Sequence, residues 1–393
     1  MPCAAVGGRV NEHRSASLNA ARRKAEMERL AGGESVDVVV IGGGITGAGV
    51  ALDAASRGLR VALVERRDLA NGTSRWSSKL AHGGLRYLRQ GEVAVAWESA
   101  RERHILLTRT APHLVRALPF VAPLDGVMGP WHGAFTEAGI RVGDGMRVAA
   151  GTRGSVLPRP RRISRHEALR LVPDLQLRDL RGAILFWDGQ IEDDARLVIA
   201  AARTAASHGA MILTYCDAES VDRGRVTVRD ALGGGSFDIA TRHVVNASGV
   251  WADALAPGVR LVRSKGAHVI VRAQALGNPR AALVVPVPGE SARWVGATPA
   301  DDGRIIVGVT DDAYDGALVD EPEVTPDEER FLLSVLSLAL ENPIGSDAVI
   351  GRYAGFRPLL AGESASTADL SRKHAIVEDR DSGVITVVGG KLT

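Results

Sequence analysis

The spacing of apolar residues changes period most sharply between Val36 and Glu65. Val36 to Ile41 is a run of β-branched residues broken only by Asp37, as in a parallel strand covered on both faces. From about Ile45 to Arg57 the spacing becomes helical and Gly58 ends the helix. Leu59 to Val64 then reads as a second strand with Glu65 at its tip. Gly42, Gly44 and Gly47 between strand and helix form G-x-G-x-x-G. This provides a tight turn, a place for backbone to approach a pyrophosphate, and close packing of helix on strand. The first N–H groups of the helix and its dipole favour an anion there, and an acid at the tip of the second strand suits an adenosine ribose. The stretch therefore predicts a dinucleotide site.

Elsewhere the pattern is more broken. Residues 1–35 form an extension, disordered over Met1 to Ser17 and helical over Leu18 to Leu30. The segment from Thr73 to Tyr87 holds Thr73, Ser74, Ser77, Ser78 and Lys79 and then His82-Gly83-Gly84, with little to fill a core. It suits backbone laid along an extended ligand. Val93 to Thr110 is helical, and Leu118 to about Asp188 reads as irregular, with a solvated basic run at Arg159, Arg161 and Arg162. Within it Ser164 caps a short helix with Glu167 three residues on. Asp193-Asp194 opens a helix to His208 and reads as capping rather than metal ligation. Met211 to Thr214 is a strand, Val226 to Arg229 and Ser236 to Ala240 form a hairpin, and Arg242 to Asp253 is a separate short strand breaking at Ala247-Ser248-Gly249. Arg263 to Arg272, Ala282 to Val287, Arg293 to Gly296 and Arg304 to Val309 predict an antiparallel sheet. Thr325, Pro326 and Glu328 open a helix with a capping box.

Composition narrows the class without changing this picture. A chain of 393 residues, 45% hydrophobic and 24% charged, has room for two domains, and a net charge of +2 supplies no general attraction to nucleic acid. Cys3 and Cys216 make neither a disulfide framework nor a zinc site, and a reducing cytoplasm is the expected compartment. No apolar run is long enough to span a bilayer. Lysine occurs only at Lys24, Lys79, Lys265, Lys373 and Lys391, so Lys79, Lys265 and Lys391, beside serine and glycine motifs, mark places that call for a compact ammonium.

The segments VVIGGGITGAGVALDAASRGLRVALVE, TSRWSSKLAHGGLRYL, DDARLVIAA, VNASGVWAD, SKGAHVIV, VGVTDD, GFRPLL and VVGGKLT occur in one order from Val36 to Thr393. In these the chain resembles the FAD-dependent glycerol-3-phosphate dehydrogenases, within the D-amino-acid-oxidase-like flavoproteins. The fold implied is α/β, a Rossmann-like FAD-binding domain with an inserted antiparallel-sheet substrate (cap) domain. The FAD-binding domain would comprise 36–112, 187–258 and 355–393, and the cap 113–186 and 259–354; the C-terminal helical domain of the family is expected to be absent. The resemblance implies that Gly42, Gly44, Gly47 and Glu65 hold the adenosine pyrophosphate of FAD, with Ala218 as a backbone contact to adenine. Thr73, Ser74, Ser78, Lys79, Leu80, Gly83 and Gly84 would follow the ribityl chain and flavin, completed by Ala247, Ser248, Gly249, Gly390 and Leu392.

The implied substrate is sn-glycerol 3-phosphate, oxidised by hydride transfer from C2 to FAD N5, with electrons passed to a quinone. Its phosphate would meet Arg357, Arg372 and Lys391, with Arg86, Tyr87 and Thr310 lining the same pocket. His268, first, and His82 are the candidate proton acceptors, with Arg357 the third catalytic group. Peripheral attachment to the inner membrane face and a homodimer are further expectations, and no metal or nucleic acid is implied. A flavoprotein acting on an amine or a 2-hydroxy acid, and a chain that binds FAD without turnover, stay open as alternatives.

Overall fold

The computed structural model describes residues 15–83, 92–256, 258–290, 293–360, 374–390 and 392, apart from the side chains of 130–132. The chain packs as two compact units, Met1–Asn71 with Val198–Val259 and Ala375–Val388, and Gly72–Leu197 with Arg260–His374 and Gly389–Thr393.

The first unit is built on five parallel strands in the order Val384–Gly389, Ser236–Asn246, Val36–Ile41, Val61–Glu65 and Met211–Thr214. The β-branched run of Val36–Ile41 is central and buried on both faces, as its pattern predicts. The expected hairpin arm and the expected later strand are one 11-residue strand, Ser236–Asn246. Its first half pairs antiparallel with Arg225–Asp230, and Thr241 to Asn246 enter the parallel sheet beside Val36–Ile41. A strand can change partners without a break, so the polar residues Thr241 and Arg242 only looked like a boundary.

The helix Ala20–Ala31 closes the open edge of this sheet. Leu30 is fully buried in the core, and the buried Glu26 carboxylate accepts the N–H of Ile212, 3.2 Å away, in the edge strand Met211–Thr214. Arg22 donates to the carbonyls of Ala206 and Ala210. Arg23 donates to Thr214 O at 2.7 Å and pairs with Asp230 at 2.6 Å. Side chains thus occupy hydrogen-bonding groups that an edge strand otherwise presents outward.

The second unit carries a ten-stranded sheet that includes Leu261–Arg272, Val349–Leu360, Arg304–Gly308, Trp294–Pro299, Ala282–Pro286, Val115–Pro123 and Ala183–Ile191. The irregular stretch expected over Leu118 to Asp188 is instead largely ordered. It contains the two nine-residue strands Val115–Pro123 and Ala183–Ile191, paired antiparallel, and the 20-residue helix Pro130–Ala149. Four glycines within that helix and three prolines within those strands and the helix start masked the periodicity, and tertiary pairing overrode propensity. Arg161 and Arg162 are solvated as expected, but within the strand Arg161–Ile163, where they pair with Glu167 and Glu137.

Alternation along Leu261–Arg272 separates two jobs. Val269 and Val271 face a core closed by Leu332, Leu333, Val335 and Leu336 of the helix Pro326–Ser337, whose capping box at Thr325 and Glu328 forms as predicted. Ser264, Gly266 and His268 point to the opposite face, where the candidate chemistry lies.

Candidate functional site

In the first unit the chain leaves Val36–Ile41 at Gly42, which has φ +110, a conformation that favours glycine. A Cβ there would meet Ala247 O at 2.5 Å, and one on Gly47 would meet Gly42 O at 1.9 Å. The two glycines therefore bring the second small-residue turn and the helix Ile45–Ser56 hard against the strand end. Gly44 is the N-cap of that helix and supplies no side-chain cap, the arrangement in which a helix start accepts a phosphate. Glu65 accepts the Gly43 N–H at 2.6 Å and the Arg67 N–H at 2.8 Å, so its carboxylate braces the glycine turn.

The turn Ala247-Ser248-Gly249 is set by a residue the sequence reading did not single out. Fully buried Asn246 donates to Ala252 O at 2.9 Å and accepts the hydroxyl of Ser248 at 2.6 Å. Ala218 stands where the pairing of Cys216–Asp222 with Arg225–Asp230 shifts register, as at a bulge that re-aims backbone. A glycine-built cradle beside a helix start without a side-chain cap and a strand-end acid fits the adenosine pyrophosphate of a dinucleotide.

In the second unit three cross-strand pairs lie side by side on one sheet face: Ser264 opposite Arg357, Gly266 opposite Gly355, and His268 opposite Tyr353. The glycines make room for what crosses them. A Cβ on Gly266 would fall 2.3 Å from Arg357 Nη2, one on Gly355 would fall 2.5 Å from Trp76 Cβ, and one on Gly308 would fall 2.1 Å from the His268 ring. Arg357 is held over Gly266 through Nη1, which donates to Ser264 Oγ at 3.2 Å and Asp311 Oδ1 at 3.2 Å, and through Nη2 to Thr310 O at 3.3 Å. Thr310 itself is buried, and its hydroxyl oxygen accepts the Ala267 N–H at 2.9 Å.

The segment Thr73 to Gly83 runs along this face. Thr73 donates to Phe356 O at 2.7 Å, and Ser78 Oγ lies 2.8 Å from His268 Nε2. Tyr353 donates its hydroxyl to Ser77 O at 2.9 Å while its ring stacks on His268, centroids 4.5 Å apart. Leu80 pairs with Gln190 at the sheet edge. The N–H of Gly83 reaches the Asp188 carboxylate, which is joined to buried Arg103 at 2.5 Å. Ser74 is buried in the turn Thr73–Arg75, His82 is partly buried between Ala81 and Gly83, and Gly390 has φ +81.

Burial drives the pKa of His268 well below its ordinary value, and the charges of Arg357 and Lys79 push the same way. The imidazole is therefore neutral at neutral pH. Its Nδ1 is buried with no hydrogen-bond partner among the described residues.

Gly84, Arg86, Tyr87, Arg372 and Lys391 lie outside the described residues, and Leu392 is partly buried. Lys265 does not belong to this face; it pairs at 2.9 Å with Glu328 of the capping box. Among the described residues no group of His, Cys, Asp and Glu could hold a metal, and no helix is long and apolar enough to cross a membrane. Asp194, Asp311, Tyr353, Gly266, Gly308 and Gly355 were not singled out as site residues. The alternation Ser264, Gly266, His268 and Tyr353, Gly355, Arg357 is visible in each strand alone, but their register against each other is not.

Residues 37–392 match the family described as FAD dependent oxidoreductase. The chain is 52% identical over 383 residues to glycerol-3-phosphate dehydrogenase 1 of Mycobacterium bovis, covering 96% of this chain and 74% of the relative. It is similar to the glycerol-3-phosphate dehydrogenase of Bacillus halodurans complexed with FAD, with a TM-score of 0.72 at 28% identity over 96% of this chain and 64% of that one. The L-alpha-glycerophosphate oxidase of Mycoplasma pneumoniae shares the fold, with a TM-score of 0.67 at 18% identity over 91% of this chain and 90% of that one. This chain belongs to the FAD-dependent oxidoreductases, in the family of the glycerol-3-phosphate dehydrogenases.

Proposed function

We propose that the chain oxidises sn-glycerol 3-phosphate at C2 to dihydroxyacetone phosphate, using FAD and passing the electrons to a quinone. The observation that carries the reading is the Arg357 guanidinium, laid across Gly266 on the same sheet face as Ser78 and His268. An anionic group anchored there is held at a distance from the reacting carbon, so its binding energy orients the substrate. Arg86, Tyr87, Thr310, Arg372 and Lys391 are assigned to the same substrate by the family resemblance. Gly42, Gly44, Gly47, Glu65 and Ala218 are proposed to hold the adenosine half of FAD. Thr73, Ser74, Ser78, Lys79, Leu80, Gly83, Gly84, Ala247, Ser248, Gly249, Gly390 and Leu392 are proposed for the flavin half. FAD, when bound, supplies a two-electron acceptor.

The proton of the C2 hydroxyl needs a base. His268, in the free-base form with Nε2 2.8 Å from Ser78 Oγ, is the first candidate, and His82 is the second. Equal turnover in His82→Asn and the parent chain would remove His82 from the role.

Mixing the purified chain anaerobically with glycerol 3-phosphate should bleach the flavin absorbance, and glycine and 2-hydroxyglutarate should not. Bleaching by either of the latter alone overturns the substrate. Reoxidation by a soluble quinone should outpace reoxidation by oxygen; the reverse order would make the protein an oxidase.

A further inference from the structure

Two adjacent acids open the helix Asp194–Ser207, and only one is needed to cap it. Asp193 does so, accepting the Arg196 N–H at 3.0 Å. Asp194 is 1% exposed, and apart from the N–H of Ala195 its carboxylate is spent on the segment before Leu80. Oδ2 accepts the Ser77 N–H at 3.0 Å and its hydroxyl at 2.7 Å, and Oδ1 accepts Lys79 Nζ at 2.6 Å. The Ser77 oxygen in turn accepts the Lys79 N–H at 3.0 Å, and Lys79 Nζ also donates to Arg75 O at 2.9 Å. These bonds close a ring around a backbone that resists it, since Lys79 has φ +55. Ser78, between the two anchored residues, is thereby placed against His268 Nε2.

We propose that Asp194 is a positioning residue, which holds Lys79 and the turn at Ser77 so that Ser78 and the Lys79 ammonium are presented to the flavin. The proposal deepens the reading that puts Ser78 and Lys79 beside FAD, and its first test needs no FAD. The purified chain is treated with a limiting amine-acylating reagent and the modified lysines are read by mass spectrometry, with Lys24, its side chain 78% exposed, as internal reference. Asp194→Asn keeps an acceptor for Ser77 but loses the charge that holds the ammonium. It should raise acylation of Lys79 relative to Lys24 by about tenfold, and an unchanged ratio overturns the proposal.

FAD titration gives the second test. Asp194→Asn should weaken binding by about tenfold in the parent chain and have no further effect in a Lys79→Met background. Equal losses in both backgrounds overturn the proposal and mark Asp194 as a plain helix support. If Asp194→Asn does not fold, Lys79→Gln removes the pair from its other end; parent-like FAD affinity there overturns the proposal.

Discussion

Gly308 lies directly opposite His268 in the antiparallel ladder, and the imidazole fills the space that a Cβ on Gly308 would take, 2.1 Å from the ring. The Ser78–His268 hydrogen bond therefore depends on a missing side chain on the adjacent strand, far from His268 along the chain. Gly308→Ala should displace the ring and break that bond. We expect flavin reduction by glycerol 3-phosphate to slow by about a hundredfold, the scale of a 1 Å misplacement. Stopped-flow reduction at the parent rate would show that the ring position does not matter.

Gly266 has the same relation to Arg357, with a Cβ only 2.3 Å from Nη2. Gly266→Ala should push the guanidinium aside while leaving Ser78 and His268 in place. The loss is one of anion binding, so KM for glycerol 3-phosphate should rise about ten- to a hundredfold with kcat little changed. A variant that lost kcat at unchanged KM would move Arg357 from holding the substrate to the chemical step.

The depressed pKa of His268 makes stability depend on pH. Above its ordinary value of 6.5 neither the folded nor the unfolded chain binds a proton there. As pH falls through 6.5 the unfolded chain takes up a proton that the folded chain refuses, so stability falls until the folded pKa is reached. The slope from this one group is at most about 1.4 kcal/mol per pH unit. Denaturant unfolding at pH 7 and pH 5 should show a smaller loss for His268→Gln than for the parent chain, and equal losses would place the titrating group elsewhere.

The helix Ile45–Ser56 contains both a constrained glycine and an unconstrained one. A Cβ on Gly47 would meet Gly42 O at 1.9 Å, while one on Gly49 meets nothing within 4 Å. Gly47→Ala should weaken FAD binding by about ten- to a hundredfold, as overpacking of 1–3 kcal/mol implies. Gly49→Ala should bind FAD normally and gain up to about 1 kcal/mol of stability from helix propensity. Flavin content and thermal midpoint measure both, and parent-like affinity in Gly47→Ala would mean that this helix does not hold the cofactor.

What was legible in the sequence is what local spacing encodes. Val36 to Glu65 carried its strand, turn, helix and strand in one contiguous stretch, and Thr325 with Glu328 announced a helix start to the residue. What was hidden depends on partners far along the chain. Gly266 and Gly355 mean nothing apart; they become a trough only when the register sets them opposite one another. Asp194 looked like a second capping acid because its true partners, Ser77 and Lys79, lie more than a hundred residues earlier. The helix Pro130–Ala149 was lost for a different reason: its glycines weaken the local signal, and packing against Val93–Ile105 makes up for it.

The cover that Ala20–Ala31 lays over Met211–Thr214 bears on solubility. A chain trimmed to begin at Val36 would keep every glycine of the nucleotide cradle, yet it would bare an aliphatic strand with its backbone ready to pair with another molecule. Such a chain would be prone to aggregate at concentrations where the parent stays dispersed. Precipitation of it would report a lost shield against self-association, and would say nothing about its ability to bind FAD.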